Sequence, residues 1–157
     1  MASNTIRLSD FIASFNEAYS ELVESVDIFE DTRVSIKAKN EKVIEVAEIL
    51  KDEYGFVIPI AGGAIDYPEE NRMEMNYYLN NPDSDFIIIY RIKVDRENPV
   101  LPSMTQVWEA MSFHERETHE MFGIDFEGHP NLVPLLLPPD WKGGYPLRKD
   151  FKGEGVE

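Results

Sequence analysis

The sequence of 157 residues contains no cysteine. This absence excludes a disulfide framework and any iron–sulfur cluster or zinc ion held by cysteine thiolates. Long hydrophobic runs are missing as well, since the longest one covers residues 86–90, far short of the ~20 residues of a membrane-spanning helix. The first residues show no basic stretch followed by an apolar one, so no signal peptide is expected. The pattern is typical of a soluble chain and compatible with a reducing compartment.

Basic residues are scarce, with 15 against 30 acidic ones and a net charge of −15. A surface of this charge repels phosphates and anionic lipid headgroups, so we expect neither nucleic-acid binding nor direct membrane contact. Residues 142–152 are the exception, because Lys142, Arg148, Lys149 and Lys152 stand there against Asp150 alone. This segment is either a solvated turn or a basic contact for an acidic partner.

Hydrophobic periodicity predicts an α+β fold for residues 1–123, with two helices packed on a mixed sheet of about four strands. Apolar residues three and four apart predict a helix over residues 8–26. Asn40 is expected to cap a second helix, which Gly55 stops. Four strands are predicted, over residues 33–38, 56–60, 72–79 and 86–94.

Two of these strands have a predicted place in the sheet. Pro59 cannot donate a ladder hydrogen bond and indicates an edge strand, whereas the last strand is apolar on both faces and indicates a central one. Residues 104–111 predict a further helix. Ser112 and Glu115 have the spacing of a capping box, which predicts another helix that ends at Gly123.

Residues 124–157, which we call the tail, lose this periodicity. The tail holds five of the ten prolines, which forbid a helix, yet it carries the large apolar residues Leu132, Val133, Leu135, Leu136, Leu137 and Trp141. An extended apolar segment of this length must lie on its own domain or on another protein. We therefore predict an extended, proline-rich, partner-binding tail.

The stretch SFHERETHEMFG at residues 112–123 invites comparison with a zinc protease helix. Zinc proteases place two histidines at i and i+4, on one helix face. His114 and His119 are five residues apart, so their rings would point about 140° apart. Glu115 and His119 are suitably spaced but supply only two ligands. No metal site is predicted.

Nucleophilic catalysis has no motif in this sequence, because cysteine is absent and no serine stands in a G-x-S-x-G elbow. His129 offers a general base that titrates near neutrality, with Glu115 or Glu117 as its acid–base partner. The alternative is that His129 fixes the turn before Pro130 by hydrogen bonding. A stand-alone acid–base enzyme and a free adaptor domain stay open as rival functions.

Residues 115–151 resemble the 30-kDa subunit family of respiratory complex I, which includes the C subunits of NADH–quinone oxidoreductases and the J subunit of the plastid complex. The resemblance rests on Glu115-Arg116-Glu117, residues 121–124, Phe126, Gly128-His129-Pro130, Leu132, the leucine run to Pro138, Asp140-Trp141 and residues 146–151.

Three departures from the family pattern stand out: Glu120 for aspartate, Val133-Pro134 for arginines, and an extra glycine before Tyr145. They fit better the diverged relatives in archaeal membrane complexes. The first of these is the dehydrogenase that oxidises the reduced deazaflavin F420H2, and the second is an energy-converting membrane hydrogenase.

The resemblance implies a noncatalytic subunit without its own cofactor, catalytic residue or metal. Such subunits stand in the hydrophilic arm, on the cytoplasmic side of the membrane, and contact the membrane only through partners. The implied partners are the hydrogenase-like large subunit (49-kDa or D type) and iron–sulfur subunits of the B and I types. Iron–sulfur clusters and flavin are expected there, on a path from F420H2 or NADH to a quinone or phenazine coupled to ion translocation. The expected partner-binding residues are Glu115, Arg116, Glu117, His129, Trp141, Arg148, Lys149 and Asp150.

Overall fold

A computed structural model describes residues 5–153, which form three α-helices and seven β-strands. In chain order they are α1 (Leu8–Tyr19), β1 (Val23–Phe29), β2 (Arg33–Ala38), α2 (Val43–Asp52), β3 (Ile58–Tyr67), β4 (Arg72–Asn80), β5 (Ile87–Asp95), β6 (Val100–Pro102), α3 (Ser112–Phe122) and β7 (Asp125–Glu127). None of the helices in this part of the chain is long and apolar enough to cross a membrane.

The predicted α+β class is confirmed, and the main sheet has five strands where about four were expected. Its order is β1-β2-β5-β4-β3. The sheet is mixed, because β1 is antiparallel to β2 and β2 is parallel to β5. β5 lies in the middle and β3, which contains Pro59, lies at an edge, as the sequence predicted for these two strands.

The extra strand, β1, corrects the helix predicted over residues 8–26. The helix ends at Tyr19, and after one 3-10 turn (Ser20–Leu22) the chain enters β1. Val26 pairs with Ile36 and Ile28 with Val34 in the antiparallel ladder with β2. Val23 and Val26 stand three residues apart, which is the spacing of a helical stripe, so the long-range pairing with β2 decides the structure.

Two further local predictions are wrong. Asn40 lies inside a 3-10 turn (Asn40–Lys42), and α2 begins at Val43 without a side-chain cap. Residues 104–111 form two short 3-10 turns (Met104–Gln106 and Glu109–Met111), not an α-helix. Gly55 follows α2 with φ 72°, in agreement with its predicted role as a helix stop.

The chain divides into two compact units, and the first consists of the residues up to Ala61 together with Asn76–Ile92. Its core contains a cluster of aromatic rings, in which the ring of Phe11 lies 4.9–5.8 Å from those of Phe15, Tyr54, Phe56 and Phe86. The hydroxyl of Tyr90 donates to the carbonyl of Val43 at 2.5 Å, and burial raises the pKa of Tyr90 well above its usual value.

The second unit consists of Gly62–Met75 and the residues from Lys93 onward. Its buried apolar residues include Met73, Met75, Val94, Leu101, Met104, Val107, Trp108, Met111, Phe122, Ile124 and Phe126. β6 and β7 pair in parallel, with Leu101 opposite Phe126, so the first residues of the tail join a two-stranded sheet. All the residues discussed below as a functional site belong to this unit.

Candidate functional site

Helix α3 directly precedes the tail and binds it through its side chains. It ends at Gly123 as predicted, and Gly123 adopts φ 76° while its amide donates to the carbonyl of His119 at 2.9 Å. This left-handed conformation favours glycine. A Cβ at Gly123 would lie 2.5 Å from Cζ of Tyr145, a residue of the tail. Glycine is therefore required both by the backbone and by the ring that packs on it.

The predicted capping box at the start of α3 is wrong, because the helix has no side-chain cap and Glu115 is used elsewhere. The side chain of Glu115 is fully buried. Its Oε1 accepts from the amide of Met104 and its Oε2 from the hydroxyl of Ser103, both at 2.6 Å. Glu115 thus fixes the turn that precedes α3 and does not face the solvent.

Arg116 contacts the tail through its guanidinium. Its Nε donates to the carbonyl of Val133 and its Nη2 to the carbonyl of Pro134, each at 3.0 Å. Val133 precedes a proline, and the fork of the guanidinium matches two successive carbonyls of this extended chain. The side chain that was expected to meet a partner therefore binds the protein's own tail.

Glu120 lies one turn further along α3 and binds the next three residues of the tail. Its Oε1 accepts from the amides of Leu135 at 3.1 Å and Leu137 at 2.9 Å, and its Oε2 accepts from the amide of Leu136 at 2.8 Å. Together, Arg116 and Glu120 hold five consecutive residues by their main chain. We call this pair the tail clamp.

The clamp leaves large apolar side chains on the surface. Leu136, whose amide is bound by Glu120, is 59% exposed. Other large apolar residues of the same unit are also exposed: Phe113, Val133, Tyr145 and Leu147. The same unit contains a groove of about 280 Å³, lined by Glu120, Pro134, Leu137, Pro138, Pro139, Trp141, Lys142, Gly144 and Tyr145. Trp141 is half-buried and donates from Nε1 to the carbonyl of Gly144 at 2.8 Å.

A second anchor holds the end of the tail to β3. Asp66 is buried and accepts from Arg96 at 2.7 and 3.1 Å, and it also accepts from the amide of Lys149 at 2.9 Å. The hydrogen bonds from Arg96 lower the pKa of Asp66. Arg96 binds Asp150 as well, at 2.9 Å, and its two carboxylate partners raise the pKa of its guanidinium.

Arg148 joins the end of the tail to the last residue of α3. Its Nε donates to the carbonyl of Phe122 at 2.7 Å, and its guanidinium stacks over the ring of Tyr145 at 4.7 Å. The ammonium of Lys149 lies 5.9 Å from the centre of the Tyr67 ring. Of the predicted partner-binding residues near the end of the tail, Lys149 and Asp150 are exposed, and Arg148 is half-buried.

The imidazole of His129 hydrogen-bonds the main chain around the turn that contains Pro130. Its Nδ1 accepts from the amide of Asn131 at 3.0 Å, so its Nε2 carries the proton and donates to the carbonyl of Ser112 at 3.0 Å. Both ring nitrogens are engaged with the main chain, and Glu117 is exposed. Over residues 5–153 no group of three or more His, Asp or Glu residues is placed to hold a metal ion.

Sequence reasoning missed Asp66 and Arg96 as anchors and recognised Glu120 only as a departure from a family pattern. The available signal for Glu120 was its position one turn after Arg116, on the same helix face. Asp66 carries no such signal, because its tail partner is 83 residues away in the chain.

The chain is similar to known proteins in sequence. A family model described as the 30-kDa subunit of the respiratory-chain NADH dehydrogenase matches residues 36–157. The C subunit of the F(420)H(2) dehydrogenase of Methanosarcina mazei is 32% identical over 142 residues, 90% of each chain. The C subunit of the NADH-quinone oxidoreductase of Moorella thermoacetica is 33% identical over 147 residues, 92% of this chain and 95% of the relative.

Two solved structures share the fold. A chain of the membrane-bound sulfane sulfur reductase, an archaeal respiratory membrane complex, superposes with a TM-score of 0.81 over 91% of this chain and 84% of its own, at 24% identity. The trypsin-resistant fragment of Nqo5 superposes with a TM-score of 0.66 over 78% of this chain and 98% of its own, at 26% identity.

Proposed function

Because this chain belongs to the family of 30-kDa subunits of respiratory-chain NADH dehydrogenases, we propose that it is the corresponding subunit of a membrane-bound, complex-I-like oxidoreductase. It stands in the hydrophilic arm on the cytoplasmic side and braces the partner subunits that carry electrons. The donor is F420H2, with NADH as the other option, and the acceptor is a membrane quinone or phenazine. The Methanosarcina mazei relative, which matches 90% of both chains, supports this donor.

The observation that carries the proposal is the way in which the tail is held. The tail clamp satisfies the main chain of residues 133–137 with the protein's own side chains, while Leu136 and its apolar neighbours stay exposed. A segment that needs no partner for its backbone but exposes apolar side chains is pre-organised for docking, since little conformational entropy is lost on binding.

In this role the chain supplies positioning and no chemistry of its own. The hydrogen bonds of His129 and the buried position of Glu115 support this part of the proposal, because neither group is free to exchange protons with a substrate. The partners are the hydrogenase-like large subunit and its neighbouring iron–sulfur subunits, which hold the clusters and the flavin. Glu115 is left out of the proposed contact surface, which comprises the exposed side chains of the tail.

The experiment is purification of the native complex through an affinity tag on this chain, followed by identification of the companions. Leu136→Asp, which places a charge in the proposed surface, should lose the companions. Ile28→Asp is the matched control, because Ile28 is 58% exposed and lies on β1 in the other unit. A wild-type chain that purifies alone would refute the proposal. Companions retained by both variants would show that the tail is not part of the interface.

A further inference from the structure

Basic residues are concentrated in residues 142–152 of the tail, just before Glu154 and Glu157. Residues 142–152 carry four of the fifteen basic residues and one of the thirty acidic ones, net +3, so the remainder has a net charge of −18. The same segment lines an open cleft of about 400 Å³, which belongs to the second unit. Its lining residues are Gly143, Gly144, Tyr145, Arg148, Asp150, Phe151, Lys152 and Gly153.

We propose that this cleft receives an aspartate or glutamate side chain of the neighbouring subunit, with Arg148 as its main ligand and Lys152 as its second. The inference rests on the proposed function, since it needs a partner subunit. It adds to that function the chemistry of one contact between the two subunits.

Arg148 is held in place by a hydrogen bond from only one of its three guanidinium nitrogens. Its Nε binds the carbonyl of Phe122 and its plane stacks on Tyr145, which fix the guanidinium at the wall of the cleft. Its two Nη groups have no hydrogen-bond partner within residues 5–153. A fixed guanidinium with two free NH₂ groups matches the two oxygens of a carboxylate.

Asp150 is the carboxylate that lines the cleft, and it would repel an incoming anion if it were unpaired. Its Oδ1 is bound by Nη2 of Arg96 at 2.9 Å, and Arg96 is itself held by Asp66. The negative charge of Asp150 is therefore compensated from outside the cleft. Arg148 acts on Asp66 through its charge and not through a hydrogen bond, so its Nη groups stay available for a carboxylate from another chain.

Lys152 lines the cleft, and Lys142 is exposed ten residues earlier in the tail. Neither ammonium has a partner in the part of the chain that the structure describes. An exposed ammonium group without a partner in its own chain can pair with a carboxylate of another chain without first breaking an ion pair. The two ammonium groups are thus available to a carboxylate of a partner protein.

The large negative charge of the rest of the chain argues against an extended polyanion as the occupant. A lipid surface or a nucleic acid presents many phosphates, which the remainder of the chain repels, whereas one side chain of a folded partner presents a single carboxylate. The occupant we infer is therefore a partner carboxylate.

The test uses the tagged chain in its native complex and measures how much companion protein stays bound as the concentration of sodium chloride rises. Lys152→Glu should weaken retention by about tenfold, and Lys152→Arg should restore it. Arg7→Glu is the matched control, because Arg7 is exposed in the other unit and the substitution changes the net charge by the same amount. Zero-length coupling with a carbodiimide should then join Lys152 to an aspartate or glutamate of the companion.

The same coupling should join Lys42 to Glu45 inside the chain, since their charged groups are 2.7 Å apart, and this product serves as the internal standard. Companions that Lys152→Glu and Arg7→Glu retain equally would overturn this inference and leave the proposed function standing. Flotation of the chain with vesicles of phosphatidylserine and phosphatidylcholine, lost in Lys152→Glu, would also overturn it, in favour of a lipid surface. Absence of any companion in the wild-type preparation would refute the proposed function itself.

Discussion

Arg116 and Glu120 lie one helical turn apart on α3 and bind opposite polar groups of one stretch of tail. Arg116 binds two carbonyls, of Val133 and Pro134, and Glu120 binds the three amides that follow. A pair of this spacing often forms a surface salt bridge worth only a few tenths of a kcal/mol. Here both charges are used on the main chain, where charge-assisted hydrogen bonds are worth more.

Glu120→Gln should loosen the tail while leaving α3 intact. One carboxylate oxygen becomes an NH₂ group, which faces backbone amides and cannot accept from them. We expect hydrogen exchange at the amides of Leu135–Leu137 to become about tenfold faster or more. Glu117→Gln is the matched control, because Glu117 is exposed on the same helix. Unchanged exchange at these amides would refute the clamp.

Gly123→Ala should destabilise the protein by about 2–4 kcal/mol, from the left-handed backbone and the overlap with Tyr145 together. Urea unfolding of the isolated chain gives the free energy of unfolding. In a Tyr145→Ala background the same substitution should cost only about 1–2 kcal/mol, because the backbone strain remains and the overlap is gone. Equal costs in both backgrounds would mean that the ring does not restrict this position.

Glu115→Ala should destabilise the chain by about 2–3 kcal/mol, since it leaves the amide of Met104 buried without its acceptor and removes the carboxylate to which the hydroxyl of Ser103 donates. The comparison is Glu117→Ala, two residues further on and exposed, which should change the stability by no more than about 0.5 kcal/mol. Thermal or urea unfolding distinguishes the two. Similar small effects would contradict the internal role of Glu115.

The parts of the fold that the sequence predicted have local causes. The apolar run of β5, the edge position of Pro59 and the helix stop at Gly123 each follow from a few neighbouring residues. The sequence predicts a helix where β1 lies because Val23 and Val26 stand three residues apart, as on one helix face, and only the pairing with β2 reveals the strand.

The site was less predictable, because its contacts join residues that are distant in the chain. Arg116 and Arg148 were identified, but as partner contacts, and their bonds to the tail and to Phe122 could not be read from one sequence. Asp66 and Arg96 carry no motif at all. Their importance arises from the fold, which brings the amide of Lys149 to Asp66.

The carboxyl group of Asp66 makes the stability of the folded chain depend on pH. Its pKa is lowered in the folded chain by the hydrogen bonds from Arg96, so its contribution is present above the unfolded pKa near 3.8 and is lost as the pH falls through the lower folded pKa. Asp66→Asn should cost about 2–3 kcal/mol at pH 7, because Arg96 loses its buried anionic partner and one of the two acceptor oxygens becomes an NH₂ group that faces donors. The wild-type chain should therefore lose stability below about pH 4 more steeply than this variant does.

Asp150, the second carboxylate that Arg96 binds, is the control for Asp66. The side chain of Asp66 is 1% exposed and that of Asp150 is 65% exposed, yet both bind Arg96. Because solvent screens the exposed pair, Asp150→Asn should cost no more than about 1 kcal/mol. Urea unfolding at pH 7 and at pH 3 measures both effects. A larger loss for Asp150→Asn than for Asp66→Asn would show that the anchor of the tail depends on the exposed pair and not on the buried one.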